Sequence, residues 1–205
     1  MPQPDHISAL GVPDAATLDD DLRAIWQKCV EKLGFVPNVY AALSLRPQRL
    51  RNFMAAYNEI MLSESGLTRL EREMVAVVVS SANRCYYCLA AHGAAVRRLS
   101  GDPELGEMLA FNYRVARLPA RQRAMLDFAW KLTTELHLVD EADRARLREH
   151  GLGNADIFDL AETVALFNLS NRMAAATDMM PNREYHAADR VPAESLASEP
   201  KKAPA

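Results

Sequence analysis

The chain has 205 residues, of which 49% are hydrophobic and 25% charged, and its formal net charge is −3. That length and composition suit one globular domain with a sizeable core, and the acidic balance argues against a dedicated nucleic-acid binder. The longest strictly apolar run, "MVAVVV" at 74–79, is far too short to span a bilayer.

The start, "MPQPDHISALGVPDAA", shows neither the basic nor the apolar region of a leader, so a cytoplasmic protein is expected. Three cysteines, an odd number, do not make a secreted disulfide framework. Low glycine with abundant Ala, Leu, Arg, Glu and Met favours helix, and an all-α fold is expected.

Residues 1–18, with prolines at 2, 4 and 13, read as an irregular arm. A helix follows in "TLDDDLRAIWQKCVEKLG", capped by Thr17 or Asp19, with acids in its first turn and Gly34 closing it. Leu22, Ile25, Trp26, Cys29, Val30 and Leu33 fall on one face, which makes Cys29 a small buried hydrophobe. A short helix comes next, then a break at Pro47 and a longer helix to about Leu62.

Thr68 and Glu71 form a capping box that opens a helix from Arg69 to about Ser80. Its β-branched stretch, Val75 to Val79, is also compatible with a strand, but the capping box and charged opening favour a buried helix. The polar cluster Ser80, Ser81 and Asn83 predicts a break, with Asn83 as N-cap of a helix over 84–100. Gly101-Asp102-Pro103 stops that helix.

Later helices are expected at 103–114, 119–137, 140–150, 154–166 and 167–179, with Pro119 suited to a first turn. In the 140–150 helix Arg144, Arg146 and Arg148 alternate with acids, as on a solvated face. The main domain spans 19–186. The small, polar, proline-rich stretch 187–205 reads as a flexible tail. "GLTRLEREMVAVVVSSAN" and "GLGNADIFDLAETVALFN" hint at an internal helical repeat. Asn83 then matches Asn168, and Ser170, Met173 and Thr177 stand where the first copy has Cys85, Cys88 and His92.

The chemistry-bearing stretch is "SSANRCYYCLAAH". On a helix Cys88 and His92 are i and i+4, and Cys85 lies three residues before Cys88 on the same face. Both cysteines fall in the first turn or two, where the helix N-terminus favours a thiolate. A CxxC pair there can close into a disulfide.

Glu73 lies twelve residues before Cys85. Along one unbroken helix it would sit roughly 120° away from the cysteine face, so a break near Asn83 is the condition for Glu73 to reach His92 and orient its imidazole. Three readings stay open from the residues: a redox pair, a metal site in which Glu73 joins Cys85, Cys88 and His92, and two thiols that only pack. His6, His137, His150 and His186 are distant in sequence; His137 and His186 are expected at the surface. Tyr86 reads as a packing residue and Tyr87 as a second candidate for the site. Asn168, Asn171 and Arg172 are expected to fix the helix core or a subunit contact.

The spacing Glu-x(11)-Cys-x-x-Cys-x-x-x-His in "EMVAVVVSSANRCYYCLAAH" resembles the alkylhydroperoxidase AhpD family, within the wider carboxymuconolactone decarboxylase-like group. "GFVPNVYAAL", "LTRLERE" and "FNLSNRMA" look like its peroxidase-related subgroup, and the resemblance covers roughly residues 30–180. It implies an AhpD-like all-α bundle, a homo-oligomer (dimer, trimer or hexamer) and thiol-dependent reduction of hydroperoxides with no bound cofactor. Cys88 then matches the cysteine that attacks the peroxide. Cys85 matches the proton donor that closes the disulfide, and Glu73 and His92 match the proton relay. An external dithiol, a thioredoxin-like protein or a lipoyl group would restore the thiols.

One position departs from the best-known peroxidase of the family, which has a histidine immediately before the attacking cysteine; here it is Tyr87. The decarboxylase branch lacks the paired cysteines, so decarboxylation is disfavoured. The alternative from a different class is an oligomeric helical scaffold or redox sensor whose CxxC-x3-His is a structural metal or switch site.

Overall fold

The structure is a computed structural model and describes residues 2–191. Among these residues regular structure is entirely helical: α1 (Asp20–Leu33), α2 (Asn38–Leu43), α3 (Pro47–Leu62), α4 (Arg69–Ala82), α5 (Tyr86–Ser100), α6 (Leu105–Asn112), α7 (Ala120–Thr134), α8 (Glu141–Glu149), α9 (Asn154–Ala176) and α10 (Glu184–Ala187), with three short 3-10 turns. The all-α expectation holds.

The centre of the bundle is α4. Every residue from Glu71 to Ser80 is buried, and α3, α5, α6, α7 and α9 all pack on it. A helix that is apolar on every side must be buried on every side, which is why Val75–Val79 has the composition of a strand. Its start is set by the expected capping box: Thr68 Oγ1 accepts from the Glu71 amide at 3.2 Å, and Glu71 Oε2 accepts from the Thr68 amide at 2.9 Å. The fully buried Arg72 donates to the carbonyls of Ile60 and Ser63, which pins the end of α3 to α4.

The break between α4 and α5 is real, but its construction differs from the expected one. Asn83 ends α4 rather than capping α5. Arg84 takes a left-handed φ of 54°. The Cys85 amide donates to Ser80 O (2.9 Å) and the Arg84 amide to Ser81 O (3.0 Å), a Schellman stop with arginine where glycine is usual. The N-cap position of α5 is Cys85 itself. The Asn83 amide instead donates to Asn168 Oδ1 (3.1 Å) and Asn171 Oδ1 (3.0 Å).

The helices expected at 154–166 and 167–179 are one helix, α9. Asn168 does not break it, because its side chain donates back to Val164 O (3.0 Å) and to Thr133 Oγ1 (3.2 Å) and leaves the backbone ladder intact. The two asparagines that the repeat reading aligns therefore touch each other, but only the first marks a break.

Other boundaries move by a few residues. The 103–114 and 119–137 elements are α6 and α7, each followed by a 3-10 turn, and Pro119 sits just outside α7 as its N-cap. Cys29 is only half-buried, and Val30 and Leu33 are exposed, because α1 lies at the rim with Leu22 as its one buried residue.

The arm docks on its own chain. Ala9 N donates to Thr177 O (2.9 Å) and Met180 N to Ile7 O (3.0 Å). The start of the expected tail is fastened too: Arg97 donates to Ala188 O at 2.9 Å, and Asp189 pairs with Arg98. The rest of the tail, 192–205, lies outside the described residues.

Helix α5 is held close to α6 where Gly93 faces Gly106. A Cβ on Gly106 would stand 2.9 Å from Gly93 O and 3.3 Å from the Arg97 Cγ. Gly106→Ala gains helix propensity of about 1 kcal/mol, but a backbone oxygen cannot swing aside, and overpacking of this kind costs about 1–3 kcal/mol. A lower urea midpoint at unchanged m-value is expected; a raised midpoint would contradict the close crossing.

Candidate functional site

The reversal at 83–85 folds α5 back along α4 and places His92, two turns into α5, over Glu73, one turn into α4. His92 Nδ1 and Glu73 Oε2 are 2.6 Å apart, and the two side chains keep only 13% and 6% of their exposure. The imidazole also meets Phe167 of α9 edge-on, with ring centroids 4.5 Å apart. A buried charge pair costs several kcal/mol of desolvation per ion before its attraction is counted. An apolar pair would pack this position at less cost.

Cys85 and Cys88 are both free and both buried. As N-cap and third residue of α5 they lie at the positive end of the helix dipole. The Cys85 thiol is lowered to about 7. The main cause is a hydrogen bond from the Cys88 thiol. The backbone amide of Cys88, the charge of His92 and the amide of Tyr87 add to it, against the opposing effect of burial. Cys88 is pushed up, by holding the proton it shares with Cys85 and by burial. Ser170 and Asn171 pull it the other way, and Ser170 Oγ lies 3.9 Å from Cys88 Sγ. Of the two thiols, Cys85 is therefore the one favoured as thiolate and Cys88 the one held protonated.

All four expected residues thus lie along the facing helices α4 and α5: Glu73 meets His92, and Cys85 and Cys88 share one buried cluster. Tyr87 is part of the framework. It is buried, and its hydroxyl accepts from the Val39 amide at 3.0 Å. Asn171 bridges Asn83 and Ser80, donating to Ser80 Oγ at 3.0 Å, which ties α9 to the reversal. His186, expected at the surface, is half-buried: its ring stacks on Tyr86 and its Nε2 lies 3.0 Å from Gln3 Oε1. Burial and nearby arginines lower its pKa. Among the described residues no three His, Cys, Asp or Glu side chains converge as metal ligands, so Glu73 and His92 do not close around the cysteines as the metal reading requires.

Beside His92 opens a cavity of about 260 Å³, lined by Glu73, His92, Phe167, Ser170 and several tyrosines. Ser170 faces both this cavity and Cys88, and so joins the two. The signal for Ser170 was present in the repeat, which sets it opposite Cys85. Of the tyrosines, Tyr87 was marked by its place between the cysteines; Tyr40, Tyr57 and Tyr185 carried no signal, because they come from segments far apart in the chain.

Residues 47–129 match the carboxymuconolactone decarboxylase family. A crystal structure of an uncharacterised peroxidase-related protein from Silicibacter sp. TM1040 is 55% identical, covers 93% of this chain and 100% of its own, and superposes with a TM-score of 0.89. An uncharacterised peroxidase-related protein from Ralstonia eutropha JMP134, described as an alkylhydroperoxidase AhpD core, is 46% identical, covers 93% of this chain and 99% of its own, and has a TM-score of 0.89. The debrominase Bmp8 is 19% identical over 90% of this chain and 96% of its own, with a TM-score of 0.72, which shows a shared fold. No curated protein sequence matches the chain.

The shared proton has a measurable consequence. In a Cys29→Ala background, thiolate ultraviolet absorbance should rise with pH with a first midpoint near 7. With Cys85→Ser added, Cys88 should titrate above the ordinary thiol range, since its burial remains. A midpoint that stays near neutrality in that variant would place the first thiolate on Cys88 instead.

Proposed function

Because the chain belongs to the AhpD-like branch of the carboxymuconolactone decarboxylase family, with peroxidase-related relatives, we propose that it is a thiol-dependent hydroperoxide reductase of antioxidant type. The observation that carries this reading is the buried 2.6 Å contact between Glu73 and His92 on the helix whose first turn holds both thiols. A buried imidazole clamped by a carboxylate can hold and release a proton beside the pair.

The step balances as follows. The Cys85 thiolate withdraws the proton of Cys88 as Cys88 Sγ attacks the outer oxygen of the peroxide. The O–O bond breaks, Cys88 becomes a sulfenic acid, and the departing alkoxide takes a proton from the His92–Glu73 relay. Cys85 then attacks the sulfenic sulfur, water leaves, and a disulfide closes. The sum is one hydroperoxide and two thiols giving alcohol, water and disulfide. An external dithiol, whether a thioredoxin-like protein or a lipoyl group, returns the two electrons by exchange.

The low exposure of both cysteines, 4% for Cys85 and 1% for Cys88, favours a slender reductant over a broad protein face. Ser170, at the join between cavity and sulfur, is placed to donate to the Cys88 thiolate. Tyr87 leaves the relay to His92 alone, since its phenol is held well above its ordinary pKa by burial.

Peroxide consumption with an excess of a small dithiol tests the reading. Cys88→Ser should abolish turnover. Cys85→Ser should stop after one turnover and leave a sulfenic acid trappable by dimedone. Glu73→Gln should slow the reaction by about a hundredfold, the low end of general acid–base contributions. Full turnover in Cys88→Ser would defeat the assignment, and reversible disulfide formation without any turnover would make the pair a switch.

A further inference from the structure

The cavity beside Glu73 and His92 holds more polar groups than a bare hydroperoxide would use. At about 260 Å³ it exceeds the roughly 150 Å³ that encloses benzene, and on that scale it takes about ten to a dozen heavy atoms. That suits a single ring with short branches, not a long acyl chain.

Tyr40, Tyr57 and Tyr185 line it. None of their hydroxyls makes a protein hydrogen bond among the described residues, and none is fully enclosed, so all three are free to bond a guest in the cavity. Burial holds all three above their ordinary pKa values, with Tyr185 at about 12, so they are neutral donors.

Arg69 completes the set at the mouth of the cavity. It is the first residue of α4 and stands one turn before Glu73, the spacing at which a helix pairs opposite charges. Glu73 is committed to His92 instead, and Arg69 has no ion pair or hydrogen bond from its side chain among the described residues. With Glu73 paired to His92, Arg69 is the charged side chain of the cavity wall left without a partner of its own among the described residues.

We propose that this cavity selects a compact aromatic hydroperoxide carrying a carboxylate, with the carboxylate held by Arg69 and the phenol hydroxyls and the peroxide turned toward Ser170 and Cys88. The reacting group in this proposal rests on the hydroperoxide-reductase reading; the carboxylate preference does not. An arginine fork and neutral phenols are the donor set for a carboxylate, and the aromatic walls suit a ring.

Calorimetric binding of 4-isopropylbenzoate and its isosteric neutral amide, 4-isopropylbenzamide, tests the preference without turnover. The benzoate should bind about tenfold more tightly. Arg69→Gln, at an exposed position, should erase that difference, and Tyr57→Phe should weaken the benzoate several-fold. Equal binding of the two compounds, no detectable binding of the benzoate, or an unchanged preference in Arg69→Gln overturns the proposal. A second arm compares oxidation of the cysteine pair by cumene hydroperoxide and by its 4-carboxy derivative, which should react faster. If neither oxidises the pair while the benzoate binds selectively, the carboxylate site stands and the reductase reading falls. If both oxidise it at equal rates and the benzoate shows no preference, the reductase reading stands and the carboxylate class is overturned.

Discussion

The contact between Glu73 and His92 is the constraint on which the rest of the arrangement depends. It joins two helices that would be one long helix if the chain did not reverse at residues 83–85. On a continuous helix the carboxylate would face away from the cysteines. The reversal fixes three things together: the acid meets the imidazole, the thiols lie at a helix N-terminus, and α5 runs back along α4 to enclose them. The burial of α4 leaves Glu73 only 4% exposed, at the wall of the cavity. Asn83 and Asn171 fasten the reversal to α9, so the longest helix of the bundle supports the shortest loop of the site.

Two compartments result. The sulfurs lie in a small apolar cluster with Tyr87, Ala174 and Met179, and the aromatic cavity lies on the far side of His92. Tyr87, Ala91 and Val39 border both, and Ser170 joins the cavity to Cys88. On the proposed reading the thiol pair manages its own ionisation, with Cys85 the sulfur favoured as thiolate and Cys88 the one held protonated. Helix amides and the nearby imidazole favour the charge at Cys85. In the proposed mechanism Cys88, which meets the cavity-lining Ser170, is the sulfur that attacks.

Much of this was legible in the sequence because it is local. Capping-box residues three apart, Pro47 at a helix start, Gly34 and Gly101 at helix ends and the i, i+4 spacing of Cys88 and His92 each leave a short-range signature. The need for a break before Cys85 followed from counting residues to Glu73. How the break is made was not legible, because Arg84 takes the left-handed position where glycine is the usual signal. The continuity of α9 was also hidden: Asn168 looks like a helix end until its side chain is seen to bond back to its own helix and across to Thr133. Least legible of all was the cavity wall. Tyr40, Tyr57, Arg69 and Tyr185 come from four helices or their flanks, and no periodicity links them.

The central claim is that peroxide converts this thiol pair to a disulfide. The direct measurement is thiol titration and intact mass of the reduced protein before and after one equivalent of cumene hydroperoxide, with peptide mapping. The account predicts rapid loss of two thiols and a mass decrease of about two units, mapped to Cys85–Cys88 and reversed by a dithiol. Unreacted thiols, or oxidation confined to Cys29, would contradict it.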